Sequence, residues 1–168
     1  MNCLSYAIVT IPDVEAGCRQ FGLGELDASN AAKAMFHLHQ QETGELQLPI
    51  HLQKIAALVM IKREGDYILD IQTHIAKGDT ETALITAFIK QAQAMATLIS
   101  WDAAHFTVPV MSYRMLKHKM AFPRFFSKPL DQGIIDLKSL MTVAEDQTSF
   151  FEMANLLSIP NPEILHDR

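Results

Sequence analysis

Residues 55–73, IAALVMIKREGDYILDIQT, decide the reading of the fold. IAALVMIK is a continuous apolar run of strand-like composition. Glu64-Gly65-Asp66 supplies turn residues, and YILDIQT then alternates apolar and polar. Two such runs around a glycine turn predict a β-hairpin. Upstream, CLSYAIVTI (3–11) is a second β-rich run, stopped by Pro12-Asp13. Residues 12–26 contain Gly17, Gly22 and Gly24 and read as a loop or a broken short helix. ASNAAKAMFHLHQQET (28–43) is a helix with Asp27 or Ser29 as its cap. Downstream, Asp79 caps a helix over 80–96, whose apolar stripe is Leu84, Ile85, Phe88, Ile89 and Met95. TLISW (97–101) is a short buried strand, and 108–120 is a helix with Pro109 in its first turn. Residues 121–133 form a loop, 134–137 a short extended piece, and 138–143 a helix. Ser149 and Glu152 make a capping box for a last helix, FFEMANLL, before Pro160 and Pro162. A hairpin followed by βα units predicts one α/β domain with a mixed sheet flanked by helices. The hairpin should pair beside strand 3–11, with 97–101 parallel to that first strand.

Length and composition agree with one packed domain. The 168 residues are 49% hydrophobic and 20% charged, which excludes a disordered chain. No stretch nears about 18 consecutive apolar residues, so no membrane span is expected. The N-terminus lacks the basic n-region of a secretory signal. Cys3 and Cys18 are too few for a disulfide framework and have no zinc spacing, so they read as free thiols of a cytoplasmic protein. The net charge of −5 argues against a globally basic nucleic-acid binder, although a local patch can override it.

Five segments, in order, resemble one family: the predicted 3′–5′ exonucleases related to the proofreading domain of family-B DNA polymerases. These have the DnaQ-like, ribonuclease-H-like fold. YAIVTIPD (6–13) is similar to a first strand reading roughly F-D-I-E-T-x-P-D. PIHLQKIA (49–56) is similar to the segment entering the second strand, and ISWDAAHFTVPVM (99–111) to S-W-N-G-x-x-F-D-x-P-V-L. IIDLKSLM (134–141) is similar to H-x-D-L-x-x-L, and MANLLSIPN (153–161) to a helix ending in L-x-G-I-P. The likeness leaves out 17–48. It implies a single exonuclease-like domain over 1–168 that stops before the family's last helix.

The resemblance also implies what chemistry to look for. Such exonucleases hold two Mg²⁺ or Mn²⁺ ions about 4 Å apart on carboxylate oxygens. Two carboxylates lie on the first strand as D-x-E, a spacing that puts both on one face. Here those positions are Ala7 and Val9, and the third carboxylate position is Thr107. The fourth would follow the last matched segment, and His166-Asp167-Arg168 do not supply its spacing. Without these ligands nothing offsets metal dehydration, so no cofactor is expected and the domain reads as a pseudoenzyme. A rescue remains open: Asp13, Asp102 and Asp136 stand near the expected site, and Asp102 occupies the family's Asn position. They would hold Mg²⁺ or Mn²⁺ only as a rearranged set. Against this, Asp13 suits a turn or cap and Asp136 suits a helix cap.

Other residues suggest binding. Between Ser112 and Lys138, six cations (Arg114, Lys117, Lys119, Arg124, Lys128, Lys138) stand against Asp131 and Asp136, while the rest of the chain is strongly acidic. Phe122, Phe125 and Phe126 interleave with them, and Trp101 lies beside the former catalytic positions. Cations with aromatics suit a single nucleic-acid strand. The alternative is a solvated helix face, a loop pinned by phenylalanines and a core tryptophan. His37 and His39 lie two apart on a helix and so do not share a face, which makes them solvated histidines rather than a metal pair. Met35, Met60, Met95, Met111, Met115, Met120, Met141 and Met153 read as adaptable core filler. Three function classes remain: an inactive exonuclease-like domain kept for nucleic-acid binding or regulation, a protein–protein or homodimerisation domain, and a metal-dependent exonuclease with rearranged ligands.

Overall fold

The computed structural model describes residues 2–77, 80–126, 133–141 and 148–159. The long apolar runs become strands β1 (Asn2–Pro12), β2 (Gln53–Glu64) and β3 (Tyr67–Ile75). Two short ones follow, β4 (Thr97–Ser100) and β5 (Ile134–Asp136). They form a single sheet in the order β3-β2-β1-β4-β5. β2 and β3 are the expected hairpin, closed by Gly65-Asp66 with Gly65 at φ 56°, a conformation glycine adopts freely. As the sequence predicts, the hairpin lies beside β1 and β4 pairs parallel to it; the β1–β2 pairing is antiparallel. β5 then pairs parallel to β4.

Strand alternation fixes two very different sheet faces. Leu4, Tyr6 and Ile8 point inward with Ile55, Leu58 and Met60. Ile55 and Leu58 are three apart, yet both are buried. A bulge reconciles them: Val9 pairs with Ala57 and Thr10 with Ile55, so Ala56 is the extra residue. Onto this face pack α3 (Glu81–Ala92), through Leu84, Ile85 and Phe88, and α4 (Val108–Lys117), through Val110, Met111 and Met115. Each fully buried large side chain contributes roughly 1.5–3 kcal/mol of transfer free energy. The other face of β1 carries Ala7, Val9 and Ile11, all exposed among the described residues.

A smaller layer lies at the start of the chain. Residues 12–26 hold an ordered helix, α1 (Val14–Phe21), rather than a loop. Asp13 caps it, accepting from the Ala16 amide at 3.2 Å. α1 packs on α2 (Ala28–Thr43), which Asp27 caps through the Ser29 and Asn30 amides. A Cβ at Gly17 would collide with the Met35 thioether, so glycine here serves close helix approach. His39 is buried in α2 beside Thr43 and Glu45, not solvated as expected, whereas His37 is exposed.

Several boundaries also move. β1 includes Pro12, which an outer position in the ladder tolerates. α3 ends at Ala92, short of 96, and Thr80 stands at its N-cap, while the predicted cap Asp79 lies outside the described residues. Helix 108–120 ends at Lys117 and is preceded by a π-helical turn, Ala103–Thr107. α5 (Leu137–Met141) and α6 (Phe150–Leu156) complete the described helices, and Ser149 and Glu152 form the predicted capping box. Met35, Met60, Met111, Met115 and Met153 are buried filler, whereas Met141 is exposed. No described helix is long and apolar enough to cross a membrane.

Candidate functional site

Three groups of polar residues gather near the carboxyl ends of β1, β4 and β5. The first surrounds the D-x-E-like positions. Ala7 and Val9 project from the open sheet face, Val9 with 53% of its surface exposed. Thr107 is buried instead, and its Oγ1 shares a hydrogen bond with Tyr6 Oη at 3.3 Å. Tyr6 points to the opposite face from Ala7 and Val9, so Thr107 turns away from them. Burial raises the Tyr6 phenol to about 12 despite the Thr107 bond. Tyr6 is thus a neutral core phenol paired with Thr107.

The second group brings Asp102 and Asp136 together with His105. One ligand atom from each lies within 4.8 Å of the other two. Asp102, two residues past the end of β4, is left-handed at φ 53°, uncommon for a residue with a Cβ. Its Oδ1 is buried without a hydrogen bond, and His105 Nδ1 lies 3.4 Å away. Lys138 Nζ donates to the other oxygen, Oδ2, at 3.1 Å. Asp136 accepts from the Ala104 amide at 2.9 Å and the Lys138 amide at 3.0 Å, so it does cap α5. Burial pushes its carboxyl up, but the backbone amides more than offset this, and it titrates below the ordinary value. Asp13, the third member of the sequence-derived set, lies elsewhere.

Asp13 belongs to the third group, a buried ion network. Arg114 is only 2% exposed and is held between Asp13 and Glu81. Glu81 accepts from Arg114 Nε at 2.8 Å and Nη2 at 2.6 Å, from His118 Nε2 at 2.7 Å and from the Ile55 amide at 2.7 Å. Asp13 accepts from Arg114 and from Lys117 Nζ at 2.6 Å. Burial alone would raise the Asp13 carboxyl, yet Lys117 and Arg114 hold it down to about 2. Burial likewise opposes ionisation of Glu81, and Arg114 and His118 outweigh it. A cleft of about 340 Å³ opens beside Lys117, His118 and Lys54.

The family model of predicted 3′-5′ exonucleases related to the exonuclease domain of PolB matches residues 46–160. The chain belongs to this family. No curated protein sequence matches it. Among solved structures, the family B DNA polymerase of the hyperthermophilic archaeon Pyrobaculum calidifontis superposes with a TM-score of 0.58 at 11% identity. That match covers 95% of this chain and 18% of the polymerase, so the likeness shows the ribonuclease-H-like exonuclease fold and no more.

Within this exonuclease-related domain, the proposed basic patch dissolves in part. Arg114 is interior, not a surface cation, and Lys117 is drawn to Asp13 and Glu15. Lys119 and Arg124 are exposed, and Lys128 lies outside the described residues. Phe125 and Phe126 pack on Phe88, each with ring centres 6.1 Å away, while Phe122 is exposed. Trp101 is half-buried edge-on against Phe150, 5.6 Å between centres. The sequence reading missed Glu81, because a glutamate in the first turn of a helix ordinarily faces water. Its one signal was position: Glu81 precedes Leu84, Ile85 and Phe88 by three, four and seven, which is the buried stripe.

Proposed function

We propose that this exonuclease-like domain is non-catalytic and serves as a binding module whose ligand is a single nucleic-acid strand. One observation carries the reading: Ala7 and Val9 stand on the open face of β1, where the family's chemistry needs two carboxylates, and Thr107 is committed to Tyr6. Two dications cannot be held by the hydrocarbon side chains of Ala7 and Val9. What supports binding is the exposed set Lys119, Arg124 and Phe122 beside α4. Cations that neutralise phosphates and an aromatic that stacks a base are the usual means of holding a single strand. A fluorescently labelled oligonucleotide tests both halves. Binding should weaken with salt and with Lys119→Glu/Arg124→Glu, and the 3′ end should stay intact in Mg²⁺ or Mn²⁺. Undiminished binding by that variant would remove the patch from consideration.

The cluster of Asp102, His105 and Asp136 favours a second reading, a rearranged metal-dependent exonuclease. An imidazole with two carboxylates suits Mn²⁺ better than Mg²⁺. Lys138 beside Asp102 opposes it, since an ammonium already neutralises that carboxylate. Here degradation of the 3′ end would require Mn²⁺ and would be lost in His105→Ala, an exposed substitution that leaves the core alone.

A further inference from the structure

β3 is an edge strand, and it is unlike most protected edges. Ile71 is 60% and Ile75 64% exposed, and Tyr67, Ile68 and Leu69 are exposed as well. A long apolar edge presents unused backbone donors and acceptors to another strand. The bulge at Leu69 guards one end, because Lys62 pairs with Asp70 and Arg63 with Ile68. Residues 70–75 pair with 57–62 in unbroken register. The Ala76 amide donates inward to the Ala56 carbonyl. By alternation, the amides and carbonyls of Ile71, Thr73 and Ile75 point outward.

We propose that a second copy of this chain occupies that edge, antiparallel, with the two-fold axis at Gln72. This goes beyond the nucleic-acid reading and does not rest on it. The register follows from parity and charge. A two-fold axis normal to the sheet must set residues of the same face opposite one another, so it passes through a residue and not between two. Centred on Gln72, the outward-pointing Ile71 of one copy bonds Thr73 of the other. Asp70 then faces His74 of the second copy, and His74 faces its Asp70. These are the close, non-hydrogen-bonded positions, with Cα atoms about 4.5 Å apart. Centring on Ile71 or Thr73 forfeits both acid–imidazole pairs. Within one copy Asp70, Gln72 and His74 already form a ladder, Gln72 Nε2 donating to Asp70 Oδ2 at 2.7 Å and His74 Nε2 lying 3.4 Å from Gln72 Oε1. Asp70 would thus sit between Lys62 of its own β2 and the incoming imidazole. The two five-stranded sheets become one continuous sheet, and Ile71 and Ile75 gain apolar neighbours. So short a contact makes a weak dimer, below the roughly 1,000 Å² of a stable one.

Sedimentation of the whole chain over about 1–200 µM should show a reversible monomer–dimer equilibrium of that weak class. His74→Asp, which opposes two carboxylates, should weaken dimerisation about tenfold, and the swap Asp70→His/His74→Asp should restore it. Thr73→Pro removes an outward donor that β2 does not use, so it should give a folded monomer. Register is read by cross-linking in a Cys18→Ser background. Gln72→Cys should form a disulfide-linked dimer, since about 4.5 Å between Cα atoms is within disulfide reach. Ile71→Cys and Thr73→Cys, each facing a different residue, should not. A chain that remains monomeric throughout overturns the proposal. So does cross-linking through residue 71 or 73 in preference to 72.

Discussion

Two regions that share strand β1, its buried carboxyl end and its open face, have opposite characters. At the end of β1, Asp13 and Glu81 lie buried and ionised around Arg114. One turn of strand earlier, Ala7 and Val9 are exposed and apolar where the family's chemistry calls for charge. The difference lies in where the counter-charge comes from. Carboxylates survive in the dry interior here because the chain supplies its own cation in fixed geometry. Carboxylates on the open face would need metal ions to offset their mutual repulsion, and neutral side chains need nothing. The chain therefore keeps a buried ion network while positions 7 and 9 on the open face of β1 carry no charge.

The sharpest way to break this contrast is to remove the internal cation. Arg114→Met removes the cation shared by two buried carboxylates, leaving Asp13 to Lys117 and Glu81 to His118, and should cost about 3 kcal/mol in urea unfolding. A loss below about 1 kcal/mol would mean that water reaches the network and the two regions are alike.

Acid should act next. The Asp13 carboxyl is depressed from 3.8 to about 2 in the folded chain, and Glu81 is also lowered. A depressed folded pKa gives stability that is full above the unfolded value and lost as pH falls through the folded one. Stability should hold down to about pH 4 and fall between about pH 4 and 2. Urea midpoints measured across that window check it, and a flat profile would contradict the ion network.

A smaller effect is expected at the buried Tyr6–Thr107 pair. Thr107→Val removes one of the two partners of the buried Tyr6 hydroxyl, Ser100 being the other, and should cost about 1 kcal/mol. Tyr6→Phe added to it should recover much of that loss, as a double-mutant cycle would show. The smallest change is expected on the open face, where Ala7→Asp/Val9→Glu should alter stability by under about 1 kcal/mol. It should still leave the 3′ end of an oligonucleotide intact in Mn²⁺, because Thr107 is not a carboxylate. Cleavage by that variant would show that two carboxylates suffice and that little separates this face from an active one.

The hairpin, its place beside β1 and the Ser149 capping box were legible along the chain, because each depends on local period and turn chemistry, while the choice of Asp27 over Ser29 as the α2 cap was not. So was the apolar state of positions 7 and 9, since the identity of a side chain is already its chemistry. Tertiary structure decided the rest. Arg114 reads as a surface cation beside Lys117 and Lys119, yet it is interior, because its partners Asp13 and Glu81 arrive from 101 and 33 residues away. Asp102 and Asp136 meet, and Asp13 does not join them, because β4 and β5 end side by side while Asp13 turns under α1. Sequence sets which groups are available, and only the packing of distant segments sets which charge neutralises which.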